Sequence, residues 1–90
     1  MHRVVWSARA QSDLAGIRDY VSQFAPLAAQ RLATRLIAAV ESLSDYPLRG
    51  RPIGGGRRAI TAIPPYQIRY RIAGETVEII TIRHGAREPE

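Results

Sequence analysis

Cysteine is absent from the 90-residue chain, and so is lysine; one Trp, one Phe and four Tyr make an aromatic share of only 7%. Without cysteine there is no disulfide, no thiolate nucleophile and no cysteine-ligated zinc. No apolar run approaches the roughly 20 residues that a bilayer-spanning helix needs. The opening Met1-His2-Arg3-Val4-Val5-Trp6 has no apolar stretch of the signal-peptide kind, so the expected location is the cytoplasm, with no membrane partner. Against these absences stand 46% hydrophobic and 23% charged residues, the balance of a folded globular protein and not of a disordered tail. The length predicts a single domain over residues 1–90 with a modest core.

All 13 basic residues are arginine, and with 8 acids they give a net charge of +5. A GC-rich genome encodes arginine readily, so the missing lysine says less than the distribution does. Residues 1–48 nearly balance, with Asp13, Asp19, Glu41 and Asp45 against Arg3, Arg9, Arg18, Arg31 and Arg35. Residues 49–71 hold Arg49, Arg51, Arg57, Arg58, Arg69 and Arg71 and no acid. Such a field attracts polyanions, either nucleic acid or an acidic protein.

Val4-Val5-Trp6 is a short β-prone run ended by Ser7, whose hydroxyl suits a helix N-cap. Ala10, Leu14, Ile17, Val21 and Phe24 step by four and three and predict one amphipathic helix. Pro26 fits the first turn of a second, whose stripe is Ala29, Leu32, Leu36, Val40 and Leu43. The short connection predicts an antiparallel hairpin. From Asp45 to the triple glycine Gly54-Gly55-Gly56 we expect a mobile basic loop. Three strands follow, over Arg57–Ile63, Tyr66–Ile72 and Thr76–Arg83, broken by Pro64-Pro65 and by Ala73-Gly74-Glu75. In the middle strand Tyr66, Ile68, Tyr70 and Ile72 share one face, and Gln67, Arg69 and Arg71 the other. In the last, Val77 and Ile79 are expected on one face and Ile80 and Ile82 on the other, as in a strand covered on both sides. The prediction is an α+β domain of order β-α-α-β-β-β: a two-helix hairpin on one face of a small, mostly antiparallel sheet, with arginines lining the other.

Most catalytic motifs are missing. Gly54-Gly55-Gly56-Arg57-Arg58 lacks the Lys-Ser/Thr pair of a phosphate-binding P-loop, and no Gly-x-Ser-x-Gly elbow occurs. His2 and His84 lie at opposite ends with no spaced acid cluster, so neither a metal site nor a cofactor is expected. Trp6, Tyr66 and Tyr70 read as core rather than as base-stacking platforms. His84 is the one neutral-range proton carrier near the arginines. With Arg58, Arg71 and Arg87 it supplies the types that RNA cleavage requires, a base and cations; equally, it can simply bond at a strand end.

An ordered set of short motifs then resembles the RelE/ParE superfamily of bacterial type II toxins. It comprises Val5-Trp6-Ser7 with Ala10 and Asp13-Leu14, Ile17-x-x-Tyr20-Val21, Tyr46-Pro47 with Gly50-Arg51-Pro52, Tyr66-Gln67-Ile68-Arg69-Tyr70, and Ile82-Arg83-His84-Gly85-Ala86-Arg87. The resemblance implies a growth-inhibiting toxin neutralised by a cognate antitoxin, and it leaves two targets. RelE-like members cut messenger RNA on the ribosome; ParE-like members poison DNA gyrase without being known nucleases. RelE-like nucleases carry arginine directly after the tyrosine matched by Tyr66, and a tyrosine beyond the arginine matched by Arg87. Here the first place is Gln67, which has no charge to offer a phosphorane, and no tyrosine follows Arg87. The expectation is therefore a ParE-like binding inhibitor of gyrase, with no catalytic residues. Its target-binding residues would be Arg57, Arg58, Arg69, Arg71, Arg83, His84 and Arg87. The alternative is a ribosome-dependent endoribonuclease using His84 and Arg87, with Arg71 and Arg58. The resemblance also implies an antitoxin whose flexible, acidic and amphipathic C-terminal segment meets Arg49, Arg51, Arg58, Arg71, Leu14 and Tyr20. Operator DNA would be bound only through the toxin–antitoxin complex.

Overall fold

The computed structural model describes residues 1–85. Strand β1 (Arg3–Trp6) leads into helices α1 (Ala8–Ser22) and α2 (Pro26–Glu41), and a single 3-10 turn (Ser42–Ser44) follows. Four strands complete the fold: β2 (Arg51–Gly54), β3 (Arg57–Ile63), β4 (Tyr66–Ala73) and β5 (Thr76–His84). They form one five-stranded sheet of order β1-β5-β4-β3-β2, parallel only between β1 and β5. The predicted two-layer α+β architecture is present, with one strand more than expected. Among the described residues no helix is long and apolar enough to cross a membrane.

Ser7 ends one element and starts the next. Its N–H donates to the Ile79 carbonyl at 3.0 Å, extending the β1–β5 pairing by one residue. Its hydroxyl donates to the Ile80 carbonyl and accepts from the Ala10 N–H, both at 2.9 Å, which caps α1. Where β1 turns away, the outer edge of β5 would be left unpaired. The Asp13 carboxylate takes its place: Oδ2 accepts from the Ile82 N–H at 3.0 Å and from the Thr81 hydroxyl at 2.5 Å, pinning α1 to the sheet. α2 starts at Pro26 as expected and buries Ala29, Ala33, Leu36, Ala39 and Val40. Phe24 departs from the predicted stripe. It lies beyond the end of α1, 73% exposed, where no sheet reaches to cover it.

The core lies between the hairpin and one face of the sheet, around Leu36, Val40, Leu43, Ile68, Tyr70, Val77 and Ile79. Trp6 and Tyr66 pack against it, and Tyr70 is fully buried, so all three aromatics serve the core. Extra residues in two strands set which side chains face it. The partner of Tyr70 is Ile79 but the partner of Arg69 is Thr81, so Ile80 is an additional residue in β5. Because cross-strand partners share a face, Val77, Ile79 and Ile82 all join Ile72, Tyr70 and Ile68 on the helix side. The expected split of Ile79 from Ile82 is thereby corrected: the bulge restores Ile82 to the core. A similar shift in β3 lets both Ile60 and Ile63 be buried.

The predicted mobile loop is also revised. Residues 51–54 pair with β3 as an edge strand, closed by a turn in which Gly55 and Gly56 have φ of 63° and 74°. Positive φ at both central positions suits a two-residue hairpin turn and favours glycine. Residues 45–50 are pinned from below by the buried Tyr70 hydroxyl, which donates to the Pro47 carbonyl at 2.6 Å and accepts from the Gly50 N–H at 2.8 Å. A Cβ on Gly50 would stand 2.7 Å from that hydroxyl oxygen and 2.9 Å from the Ala59 carbonyl, so the approach needs glycine.

Candidate functional site

The sheet face away from the helices is arranged in rows read from the strand register. One runs Val5, Glu78, Arg71, Arg57 across β1, β5, β4 and β3; the next runs Thr81, Arg69, Ala59, Arg51 across β5 to β2; a third holds Arg83 beside Gln67. Arg51, Arg57, Arg69, Arg71 and Arg83 therefore share one face, as alternation along the strands predicts. Arg71 and Arg57 stand opposite each other, a like-charge pairing that is unfavourable alone. Glu78, on the other side of Arg71, offsets it: Arg71 Nε lies 2.5 Å from Glu78 Oε1. Acidity within residues 49–71 was nil, but the sheet brings Glu78 to the field from β5. Gln67 Oε1 accepts from Arg69 Nε at 2.7 Å and so orients that guanidinium.

A cleft of about 440 Å³ opens on this face, lined by Arg51, Ile53, Gly54, Gly55, Arg57, Gln67 and Arg69. Ala59 is part of its geometry. It sits between Arg51 and Arg69 in their row and is buried, a low point between two long side chains. Three guanidinium groups around one concavity make a surface suited to anionic groups.

Two of the expected residues are elsewhere. Arg58 pairs with Tyr70 and so projects to the helix side, where Nη1 donates to the Gly50 carbonyl at 2.7 Å. It holds the 45–50 loop and stands apart from the arginine face. His84 pairs with Tyr66, also on the helix side, and the two rings meet edge to face with centroids 5.3 Å apart. It lines a cleft of about 320 Å³ with Ser12, Asp13, Gly16, Ile17, Tyr20, Tyr66 and Ile82. Its Nδ1 is buried without a hydrogen-bond partner among the described residues. From the Tyr66–His84 pair to the Arg71–Glu78 pair is five residues along β4, roughly 17 Å, and the side chains point to opposite faces. His84, Arg58 and Arg71 therefore do not converge on one scissile group. Arg87 lies outside the described residues.

The residues expected to meet an antitoxin are likewise spread. Arg49 sits on the pinned loop, donating to the Ser42 hydroxyl at 2.6 Å; Arg51 and Arg71 are on the open face; Arg58 is beneath the loop. Leu14 packs on the core from α1, and Tyr20 meets Phe24 near the hairpin tip, with centroids 5.5 Å apart. Among the described residues no three His, Asp or Glu side chains gather as metal ligands. No local pattern of residues marks Tyr46 and Leu48 as an exposed apolar pair. Their exposure of 68% and 67% depends on how the loop is held, which periodicity does not encode.

Comparisons with known proteins agree with this architecture. Residues 4–89 match the family described as ParE toxin of type II toxin–antitoxin system, parDE. Toxin RelE2 of Caulobacter vibrioides is 53% identical over 87 residues, covering 97% of this chain and 99% of that protein. Putative toxin Y4kP of Sinorhizobium fredii is 39% identical, covering 96% and 91%. Among solved structures, the chromosomal ParDE toxin–antitoxin system of P. aeruginosa superposes with a TM-score of 0.85 at 25% identity, over 93% of this chain and 96% of that one. The RelBE2 complex of Mycobacterium tuberculosis shares the fold, with a TM-score of 0.68 at 24% identity over 92% and 96%. With the ordered motifs, the helical hairpin on its five-stranded sheet and the family match over nearly the whole length in accord, the chain belongs to the ParE toxins of the RelE/ParE superfamily, the toxin components of type II toxin–antitoxin systems.

Proposed function

We propose that this toxin acts as a ParE-like binding inhibitor that poisons DNA gyrase, and that a cognate antitoxin neutralises it. The observation that carries the reading is the separation of His84 from Arg71. Cleavage through a ribose 2′-hydroxyl needs a proton acceptor and phosphate-stabilising cations within hydrogen-bond reach of one phosphodiester. Here the histidine is on the helix side and Arg71 is on the open face, about 17 Å along the strand. Gln67 offers no charge at the place where the nucleases carry arginine. The open face offers a binding surface of Arg3, Arg51, Arg57, Arg69, Arg71 and Arg83, with Glu78 beside Arg71. That surface suits an acidic protein patch or the phosphates of DNA held by the target. The relatives' names divide between the RelE and ParE branches, so the side-chain geometry is the stronger guide to the target.

Pulse labelling after induction in a bacterium tests the target. Thymidine incorporation is expected to fall first while methionine incorporation continues. Early collapse of methionine incorporation would refute the gyrase reading and return His84 and Arg87 to consideration as nuclease residues. His84→Gln is expected to keep full toxicity. Charge reversal of Arg57, Arg69 and Arg71 to Glu is expected to abolish toxicity in a folded protein, and retained toxicity would remove this face as the target contact.

A further inference from the structure

We propose that the pinned loop carrying Tyr46 and Leu48 is a docking surface for an acidic, amphipathic segment of the antitoxin; this rests on the antitoxin part of the proposed function and not on the choice of target. Two large apolar side chains, 68% and 67% exposed, are held out by a loop fixed at several points. Tyr46 and Arg49 N–H groups close successive turns onto the Ser42 and Tyr46 carbonyls, each at 3.0 Å. Arg49 Nη1 reaches the Ser42 hydroxyl, the Tyr70 hydroxyl ties Pro47 to Gly50, and Arg58 holds the Gly50 carbonyl. Apolar anchors on a preorganised backbone lose little entropy on binding, which is how a few residues come to dominate an interface.

The surroundings select the partner's chemistry. A concavity of about 510 Å³ is formed by Asp45, Tyr46, Pro47, Leu48 and Arg49. Arg49 also lines the adjoining hollow with Arg35, Ala38 and Ile63, between α2 and the end of β3. The two hollows together present apolar floor, two arginines and a single acid, Asp45. A segment with carboxylates flanking apolar anchors complements them, and a segment that orders on binding gains most from a surface already fixed.

The test uses the purified full-length toxin and the antitoxin encoded beside it. The double variant Tyr46→Ser/Leu48→Ser alters exposed side chains only, so its melting temperature is expected to match the parent's. Its calorimetric affinity for the antitoxin is expected to fall about 30-fold or more. Arg35→Glu is expected to weaken binding at low salt, with the difference shrinking as salt rises. In cells the double variant is expected to remain toxic and to escape rescue by the co-expressed antitoxin. Affinity within about 3-fold of the parent's would overturn the docking surface while leaving the antitoxin reading intact. Failure of the parent chain to bind the antitoxin would overturn both. Lost toxicity with unchanged antitoxin affinity would assign the surface to the target and likewise overturn the proposal.

Discussion

Replacing Tyr70 by Phe removes one oxygen atom from the interior and tests how the 45–50 loop is held. Tyr70 is fully buried, and its hydroxyl makes two hydrogen bonds, to the Pro47 carbonyl at 2.6 Å and from the buried Gly50 N–H at 2.8 Å. Phe preserves the ring packing, so the loss is confined to those bonds. A buried donor or acceptor left unpaired costs about 1–3 kcal/mol. Pro47 is only partly buried and regains some of this from water, so we expect a total of about 2–4 kcal/mol. A domain of this length is stable by roughly 5–13 kcal/mol, so the substitution removes a substantial fraction. At about 4–8 °C per kcal/mol, the melting temperature should fall by roughly 8–32 °C. Thermal unfolding followed by circular dichroism reads this directly. Tyr46→Phe, which removes a hydroxyl from an exposed ring, is the control and should stay within about 0.5 kcal/mol of the parent. A Tyr70→Phe melting point indistinguishable from the control's would refute the argument that this hydroxyl fixes the loop.

Gly50→Ala should be more damaging, by about 3 kcal/mol or more, because the added carbon meets both the Tyr70 side chain and the Ala59 backbone; the yield of folded protein and its urea midpoint report it. Asp13→Ala leaves the Thr81 hydroxyl and the Ile82 N–H unpaired at the sheet edge and is expected to cost about 2–4 kcal/mol in chemical denaturation, with Asp13→Asn recovering part of it. Glu78→Gln should change stability by less than about 1 kcal/mol, since its ion pair with Arg71 is partly exposed. The same change strips the acid from the open face, so elution from heparin should move to higher salt; earlier or unchanged elution would contradict the charge arrangement described.

Which parts of this molecule were readable from its residues follows from what local patterns encode. The helices announced themselves through Ser7, Pro26 and the apolar stripes, because caps and 3.6-residue periodicity are properties of a short window. β4 was readable because its alternation is unbroken. β2 was not, because four residues containing Pro52 and Gly54 have little strand propensity, and pairing with β3 is what makes them a strand. The inward turn of Ile82 depends on the additional residue at Ile80, an insertion visible only against the partner strand. Arg58 and Arg57 look interchangeable in sequence, yet adjacent strand residues face opposite ways, and which one meets the helices is set by the pairing of Arg58 with Tyr70. For the same reason His84 and Arg71, which look like partners by residue type, stand on opposite faces of the sheet.

The strand order carries a consequence for when the toxin comes into being. β5 is the last strand of the fold to be synthesised, yet it lies inside the sheet between β1 and β4, and Ser7 is bonded to Ile80 across 73 residues of chain. Until β5 has left the ribosome, β1 has no partner, Asp13 has nothing to cap and the core lacks Val77, Ile79 and Ile82. The hairpin and the β2–β4 meander are built from contiguous chain and can form early, but β1 and the helices cannot be joined to that meander until β5 inserts between them. The sheet and its core are therefore completed in one step, when the strand made last takes the place between the strand made first and the meander.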